Sequence, residues 1–202
     1  MGLVPRVLEA DEGEVLIDGV DVRRIPLDTL RRSVGHVPQE TFLFSATLRE
    51  NAVFGVEEPD ERHLEKWLRV SQLAKDLEQL RDGLETVVGE RGVSLSGGQK
   101  QRTALARAVM RDPTILILDD SMSSVDTQTQ SQILSGLRGI MENRTTLITA
   151  MRISTIKDAD QIVVLENGTV SEVGSHTQLL TGGGLYARMY RRELLRQELE
   201  VD

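Results

Sequence analysis

An apolar run at 115–118, followed by two carboxylates, Asp119 and Asp120, constrains the fold of this chain more than any other segment. An apolar strand without polar alternation is typical of a parallel sheet whose two faces are both covered. The neighbouring segments alternate in pattern: helical at 99–110, helical at 127–137 and strand-like at 145–150. The alternation predicts an α/β fold in which crossover helices connect parallel strands.

The two carboxylates at the end of this run are the first candidates for chemistry. A buried parallel strand delivers its last side chains to the carboxyl edge of the sheet, where open α/β folds bind ligands. A carboxylate at that edge can hold Mg²⁺ directly or through water, which makes Asp119 the candidate metal ligand. The alternative is that Asp119 and Asp120 only cap the helix that follows, where acidic residues are favoured.

A glycine-containing motif lies at the start of the helical pattern at 99–110, and its residues are Leu95-Ser96-Gly97-Gly98-Gln99. Glycines let the backbone approach a ligand closely, Ser96 offers a hydroxyl, and a helix N-terminus presents unpaired N–H groups to an anion. These features predict a phosphate-binding turn. For the motif taken alone, a helix start that Ser96 merely caps is an equal alternative.

Two dipeptides, Asp18-Gly19 and Asn167-Gly168, predict hairpins, because their residues adopt the positive φ angles of tight turns. Between them, the segment 60–84 carries leucines and a tryptophan mostly three or four residues apart, which indicates amphipathic helices. We expect three segments: the remainder of an N-terminal core with its hairpin at 1–40, a helical subdomain at 41–106, and an α/β core with a C-terminal helix at 107–202.

The composition excludes several classes of protein. With 39% hydrophobic and 28% charged residues, the 202-residue chain matches an ordinary globular domain, and no window reaches the ~20 apolar residues of a membrane helix. It has no cysteine, and its three histidines show no ligand spacing. The net charge of -8 argues against nucleic acid as a partner. The N-terminus lacks the pattern of a signal peptide, from which we expect a location in the cytosol.

Taken together, the motifs resemble those of the ATPase domain of ABC transporters. In that family the LSGGQ sequence at 95–99 is the signature motif, the apolar strand that ends at Asp119 is the Walker B strand, and the segment 123–126 is the D-loop. The segment 37–39, Val-Pro-Gln, resembles the Q-loop, and 174–176, Gly-Ser-His, resembles the C-terminal segment that follows the last strands. These five matches occur in the family's order across almost the whole chain.

Two further stretches, 43–51 and 88–92, are similar to segments of ABC exporters. The second resembles the exporters' X-loop, which faces the coupling helices of the membrane domain. The resemblance therefore implies half of an exporter at the cytoplasmic face of the cell membrane, with transmembrane domains as partners through the X-loop and Q-loop regions. The implied fold is a P-loop NTPase core of ABC type with an inserted helical subdomain and β-hairpins.

The resemblance also implies a mechanism with ATP and Mg²⁺ as cofactors. Two ATPase domains pair head to tail, and each ATP lies between the Walker motifs of one domain and the LSGGQ of the other. By position, Gln39 would sense the γ-phosphate and Mg²⁺, Asp119 would hold Mg²⁺, and Asp126 would communicate across the interface. The residues at 95–99 would contact the nucleotide of the partner domain.

The sequence departs from the family pattern in three places. The first is that no Gly-x-x-x-x-Gly-Lys-Ser/Thr loop, the Walker A motif, occurs, although this loop and its lysine hold the β- and γ-phosphates in P-loop enzymes. Residues 2–8 resemble the end of the helix that follows that loop, so we expect the first strand and the loop to be missing from a truncated sequence, a fragmentary gene or one with a misplaced start. A protein that evolved without the loop is the less favoured explanation. The isolated chain is then expected to be inactive as an ATPase.

The other two departures concern catalytic positions. Asp120 stands where active members carry a Glu that polarises the attacking water, and a carboxylate one methylene shorter holds that water poorly. Met151 stands where the family's H-loop has a histidine, and methionine offers no proton donor to the γ-phosphate. Both losses affect this chain's own site, whereas its LSGGQ serves the partner's site. We therefore expect the degenerate subunit of a heterodimer, in which a different half-transporter supplies a competent Glu and His.

Two alternative functions compete with this interpretation. A non-transport ABC ATPase, of the kind that acts in chromosome maintenance or translation, would also carry LSGGQ and a Walker B strand. Such proteins usually bring long coiled coils, a second cassette or basic surfaces, none of which occurs in this sequence. A pseudo-ATPase that acts only as a regulatory partner surface fits the chain as written.

Overall fold

The computed structural model describes residues 1–89 and 92–199, without the side chain of Gln197. The chain forms two compact units, one from Met1 to Thr149 and a second that begins at Ala150. This division differs from the three predicted segments, whose functional boundaries stay a prediction. In the described part of the chain, no helix is both long and apolar enough to cross a lipid bilayer.

The first unit begins with turns and a short hairpin. Residues 2–8 form turns rather than the end of a helix, because Pro5 has no N–H to donate and Arg6 adopts a positive φ of 51°. Strands β1 (Leu16–Ile17) and β2 (Val20–Asp21) pair antiparallel. Their turn residues, Asp18 and Gly19, have φ angles of 50° and 78°, which confirms the predicted hairpin.

A three-stranded parallel sheet forms the centre of this unit. After helix α1 (Leu27–Ser33) come β3 (Val34–Val37), β4 (Ile115–Asp119) and β5 (Thr145–Thr149), in the spatial order β3-β4-β5. Both neighbours pair with β4 in parallel register. The α/β fold with a parallel sheet that the sequence predicts is therefore confirmed.

Strand β4 is apolar up to its last residue, Asp119, because it contributes to a core on each face of the sheet. Leu116 and Leu118 pack into the core of the long helices, whereas Ile115 and Ile117 pack into a second core with Val22 and residues of α1 and β3. Alternate side chains of a strand point to opposite faces, so a strand covered on both sides has no position for a polar residue before its end.

Helices cover the sheet and build the lobe that the segment 60–84 predicts. Their bounds are α2 (Leu48–Ala52), α3 (Glu61–Val70), α4 (Ala74–Leu77), α5 (Gly97–Met110) and α6 (Thr127–Met141). The apolar stripe of α3 is buried at Leu64, Trp67 and Leu68, in one core with residues of α5 and α6. Burial of one face thus fixes a helix whose other face is charged.

The second unit has its own core. It contains α7 (Ile153–Ile156), the antiparallel strands β6 (Ile162–Glu166) and β7 (Thr169–Gly174), α8 (His176–Gly182) and α9 (Leu185–Leu199). The predicted turn residues Asn167 and Gly168 have φ angles of 50° and 79°. The carboxylate of Glu193 accepts hydrogen bonds from the backbone N–H groups of Ile153 and Ser154, which caps α7 and ties it to α9.

Gly35 in β3 provides a direct test of the packing between the sheet and α5. A β-carbon at this position would lie 2.6 Å from Cγ of Pro113 and 2.8 Å from the carbonyl oxygen of Ala108. We predict that Gly35→Ala lowers the free energy of unfolding by about 1–3 kcal/mol, because neither neighbour can move without disturbing the sheet. Urea denaturation of the chain measures this change.

Gly139→Ala is the matched control, because Gly139 lies in α6 with no heavy atom within 4 Å of an added β-carbon. We expect this variant to gain up to about 1 kcal/mol from helix propensity. Equal stability of the Gly35→Ala variant and the unchanged chain would contradict the packing described above.

Candidate functional site

The carboxyl ends of β3 and β4 bring together three residues that the sequence predicts for the site. Val37 pairs with Leu118, so the segments that follow the two strands leave the same edge of the sheet. Gln39 donates a long hydrogen bond from Nε2 to Oδ2 of Asp120, at 3.4 Å, and Asp119 is the last residue of β4. This edge is where open parallel sheets bind ligands. The grouping supports the predicted site, while the role of each residue stays a prediction.

Thr149 is a further member of this group that sequence reasoning missed. Its hydroxyl donates to Oδ1 of Asp119 at 2.6 Å and accepts from the backbone N–H of Asp120 at 2.9 Å. The sequence contains a signal for this contact, because Thr149 is a polar residue at the end of a predicted strand. Only the register, which pairs Asp119 with Thr149, turns that signal into a contact.

Asp120 begins a tight turn and has a positive φ of 44°. Aspartate tolerates this conformation better than most residues because its short side chain can form local hydrogen bonds. The backbone N–H of Asp120 also lies 3.1 Å from the carbonyl oxygen of Thr149, and its own carbonyl accepts from the hydroxyl of Ser123 at 2.9 Å. The carboxylate of Asp120 is therefore placed by backbone contacts to β5 and to the turn.

The donor set at this edge fits Mg²⁺. Asp119, Asp120 and Gln39 offer carboxylate and amide oxygens, the hard ligands that Mg²⁺ prefers, and the side chain of Asp119 is partly exposed. In the described part of the chain, no three His, Cys, Asp or Glu side chains converge as a metal site. Mg²⁺ commonly keeps water and phosphate ligands, so one or two carboxylates are sufficient.

His36 lies one position before Val37 in β3 and adds no positive charge to this edge at neutral pH. Burial lowers the pKa of His36, and the nearby carboxylate of Asp119 opposes that shift only in part. The imidazole is therefore held in its neutral form.

The turn at Leu95-Ser96-Gly97-Gly98-Gln99 starts α5, as predicted. The Ser96 hydroxyl accepts from the backbone N–H of Gln99 at 3.2 Å, and the Gln99 side chain accepts from the N–H of Ser96 at 3.0 Å. This is a capping box. Ser96 therefore caps the helix, as the alternative interpretation of the motif predicts. The capping hydrogen bonds nevertheless leave the hydroxyl proton of Ser96 and the first N–H groups of the helix available to an anion.

Both glycines of this turn lie against Ser124. A β-carbon at Gly97 would be 3.2 Å from Cβ and Oγ of Ser124, and one at Gly98 would be 3.0 Å from its carbonyl oxygen. The motif therefore uses its glycines for close packing against the turn at 120–126. This contact brings the segment that resembles the signature motif next to the one that resembles the D-loop.

Asp126 ends that turn and caps α6. Its Oδ1 accepts from the backbone N–H of Thr129 at 2.9 Å, and this hydrogen bond lowers the pKa of the exposed Asp126 carboxyl. The group is consequently ionised at neutral pH. Val125, its neighbour, is buried and holds the turn against the core.

An ion pair that the sequence analysis did not identify links the helical lobe to α5. Arg102 donates from Nε and Nη2 to the two oxygens of Asp76, at 2.8 and 2.7 Å, and both side chains are largely buried. Such a bidentate ion pair fixes the relative orientation of its two side chains. Because Asp76 lies in α4 and Arg102 lies about one turn into α5, the pair fixes the lobe to the helix that carries the Ser96 turn.

An exposed aromatic cluster follows Gln39 and contains every phenylalanine of the chain, Phe42, Phe44 and Phe54. The ring centroids of Phe44 lie 5.2 Å from Phe42 and 4.5 Å from Phe54. Asn51, which is buried, fixes the backbone of Phe44 through two hydrogen bonds, of 2.9 and 3.1 Å. The cluster is therefore a prearranged apolar surface.

Two predicted features cannot be placed at this site. Of the stretch at 88–92, residues Glu90 and Arg91 lie outside the described residues, while Val88 is buried and its N–H donates to the carbonyl of Ala46 at 2.9 Å. Met151 belongs to the second unit, and its side chain is 80% exposed. The side chain of Met151 is therefore not part of the core of its unit, and the catalytic position assigned to it stays a prediction.

Comparison with known proteins identifies the family. A model of the family described as ABC transporter matches residues 2–123. The chain belongs to the ABC transporter family. The family that the motifs predict is thus confirmed, and with it the ABC-type ATP-binding domain and its P-loop NTPase-type fold.

Relatives of this ABC domain include exporters. The uncharacterized ABC transporter ATP-binding protein YwjA of Bacillus subtilis is 44% identical over 191 residues, which are 95% of this chain and 33% of that protein. The ATP-dependent lipid A-core flippase of Cupriavidus metallidurans is 42% identical over 200 residues, 98% of this chain and 34% of that protein. The chain spans about a third of the length of these curated relatives.

A solved structure of a bacterial Atm1-family ABC exporter with ATP bound superposes on this ABC domain with a TM-score of 0.90 and 40% identity. The match covers 96% of this chain and 34% of that chain. The domain is therefore homologous to the ATP-binding domains of exporter-type half-transporters.

Thr149→Val tests the hydrogen bonds at the end of β5. The change removes the hydroxyl that donates to the carboxylate of Asp119 and keeps the shape of the side chain, so we expect a loss of about 1–3 kcal/mol in the free energy of unfolding. Thr149→Ser keeps the hydroxyl and should lose less than half as much. Urea denaturation compares the two, and equal losses would show that the hydroxyl does not stabilise this edge.

Proposed function

We propose that this chain is the ATP-binding part of an ABC exporter and that it completes the ATP site of a different half-transporter while its own site is degenerate. The observation that carries the proposal is the contrast between a fully formed Ser96 turn and a site edge that has Asp120 where a Glu is expected. Exporters among its relatives, such as the lipid A-core flippase of Cupriavidus metallidurans, support the exporter part.

The Ser96 turn has the features of a phosphate site for the partner's nucleotide. The N-terminus of α5, a helix of 14 residues, presents N–H groups and partial positive charge, and Gly97 and Gly98 leave no side chain in front of them. The hydroxyl of Ser96 can donate to a phosphate oxygen while it caps the helix. We infer that Leu95, buried below the turn, supports it and that Gln99 keeps it closed.

In this proposal, the chain's own site contributes less to ATP hydrolysis than the site of the partner subunit. Mg²⁺, when bound, would offset negative charge on the ATP phosphates, and Asp119 with Gln39 would hold it at the sheet edge. Asp120 would orient the attacking water, but its carboxylate ends one methylene short of a glutamate and is engaged by Gln39 at 3.4 Å. General-base catalysis needs a hydrogen bond to the water, so we infer slow hydrolysis here.

Met151 would weaken the same site further. A thioether accepts hydrogen bonds poorly and donates none, so it cannot contact the γ-phosphate as an imidazole does. We infer that a different subunit brings a competent Glu and His, and that residues 1–202 alone hydrolyse no ATP because a Walker A lysine is not among them. A purely regulatory pseudo-ATPase, favoured by the same two positions, is the second candidate.

We further propose that the aromatic cluster of Phe42, Phe44 and Phe54 contacts the transmembrane domain at the cytoplasmic face of the membrane. Exposed aromatic groups are enriched at interfaces, and this cluster begins at Phe42, shortly after Gln39 in the chain. Arg107 donates to the carbonyl of Phe42 at 2.9 Å, which connects the cluster to α5. Movement of the helical lobe would therefore reach the membrane domain through this surface.

Restoring the two catalytic positions tests the degenerate site. We predict that Asp120→Glu combined with Met151→His in the assembled exporter raises ATP turnover about twofold, since a second site of similar competence then contributes. In single-turnover measurements, the number of ATP molecules that each transporter hydrolyses in the fast phase should rise from one to two.

Asp28→Glu is the matched control for this experiment, because Asp28 is exposed in the first turn of α1 and lies in no predicted site. It should leave turnover unchanged. If the unaltered exporter already hydrolyses two ATP at equal rates, the proposed asymmetry is wrong. If neither site hydrolyses ATP, the regulatory candidate replaces it.

Phe42→Ser combined with Phe54→Ser tests the docking surface. We predict a loss of substrate-stimulated ATP turnover of about tenfold or more, because aromatic groups at the centre of an interface carry much of its affinity. Leu165→Ser, an equally exposed apolar residue in β6, serves as the control. Unchanged stimulation in the double variant would exclude this surface as the contact.

A further inference from the structure

Gln101 is a buried polar residue of α5 whose side-chain amide forms hydrogen bonds through both its nitrogen and its oxygen. It is 5% exposed and lies one turn after the start of the helix. Its Nε2 donates to the hydroxyl of Ser123 at 3.1 Å, and its Oε1 accepts from the backbone N–H of Ser124 at 3.0 Å. The amide therefore connects α5 with the turn that follows β4.

The connection continues to the sheet edge. Ser123, which accepts the hydrogen bond from Gln101, donates from its hydroxyl to the carbonyl of Asp120 at 2.9 Å. The N–H of Asp120 is in turn fixed on Thr149. A continuous series of hydrogen bonds thus runs from α5 to the residue that occupies the predicted catalytic position of this chain's own site.

The same turn is held a second time at the start of α5. Gly97 and Gly98 approach Ser124 so closely that a β-carbon at either position would lie 3.2 Å or less from it. Ser124 is therefore fixed from two sides, by the Gln101 amide and by the glycine backbone. A tightly packed contact of this kind transmits displacement instead of absorbing it, because protein interiors have low compressibility.

We infer that Gln101 is a positioning residue that couples the Ser96 turn, offered to the partner's nucleotide, to Asp120 in this chain's own site. The inference rests on the proposed function, in which the Ser96 turn binds a phosphate. A nucleotide bound there displaces the first turn of α5, Gln101 passes the displacement to Ser123 and Ser124, and Ser123 passes it to the backbone of Asp120. The occupancy of one ATP site thereby changes the geometry of the other.

Two substitutions separate coupling from simple packing. Gln101→Met has a similar volume and loses both hydrogen bonds. Gln101→Glu keeps an acceptor for the N–H of Ser124 at neutral pH but has no donor for Ser123, whose hydroxyl must then turn from Asp120 toward the new carboxylate. Ser71→Ala is the control, since Ser71 is also buried and its hydroxyl donates to the carbonyl of Leu68 in α3.

Amide hydrogen exchange of the assembled exporter, with and without Mg²⁺ and a non-hydrolysable ATP analogue, provides the test. In the unaltered protein the analogue should slow exchange in both 95–99 and 120–126. In Gln101→Met we expect exchange of the Ser124 amide to rise about tenfold and the nucleotide-dependent protection at 120–126 to be lost, while protection at 95–99 persists. Gln101→Glu should keep the Ser124 amide protected and lose the protection around Asp120.

The outcomes distinguish this coupling from the function on which it rests. Full nucleotide-dependent protection at 120–126 in Gln101→Met would overturn the coupling while leaving the proposed function intact. Loss of that protection in Ser71→Ala as well would also overturn it, because a general loss of stability would then explain the result. Absence of protection at 95–99 in the unaltered protein would overturn the proposed function itself.

Discussion

Strand β4 has a covered apolar face on each side and a hydrogen-bonded neighbour along each edge, and the arrangement of the first unit follows from this. No polar group can be placed along such a strand without losing its water, because an unpaired buried polar group costs several kcal/mol (~2–7). The first polar side chains, Asp119 and Asp120, therefore occur where the strand leaves the core. The requirement for burial thus also determines where the carboxylates of the site lie.

The rest of the site is positioned relative to this strand end. Thr149 contacts Asp119 because β5 pairs in register with β4. Gln39 contacts Asp120 because β3 pairs with the opposite edge of β4 and ends beside it. The turn that starts at Asp120 then packs against the first residues of α5. Sheet edge, turn and helix start consequently form one group of contacts, whereas the helical lobe joins it through the pair of Asp76 and Arg102.

The features that could be predicted from the sequence are those that local residues determine. The turn at Asp18-Gly19, the start of α5 at Ser96 and the apolar run of β4 each follow from the conformations that those residues favour. Thr149 and the pair of Asp76 and Arg102 could not be predicted, because their contacts depend on strand register and on helix packing between segments distant in sequence. The order of the motifs was enough to predict the family, whereas the roles of Gln39, Asp120 and Met151 stay predictions.

The capping box at Ser96 has a consequence for assembly. The turn to which the proposed function assigns the partner's nucleotide is already ordered, since Ser96 and Gln99 close it with their own side chains. Binding there requires little further loss of conformational entropy on this side of the interface. An anion that meets this turn therefore finds its donors already fixed in place, and the ordering of a loop does not reduce the affinity of the contact.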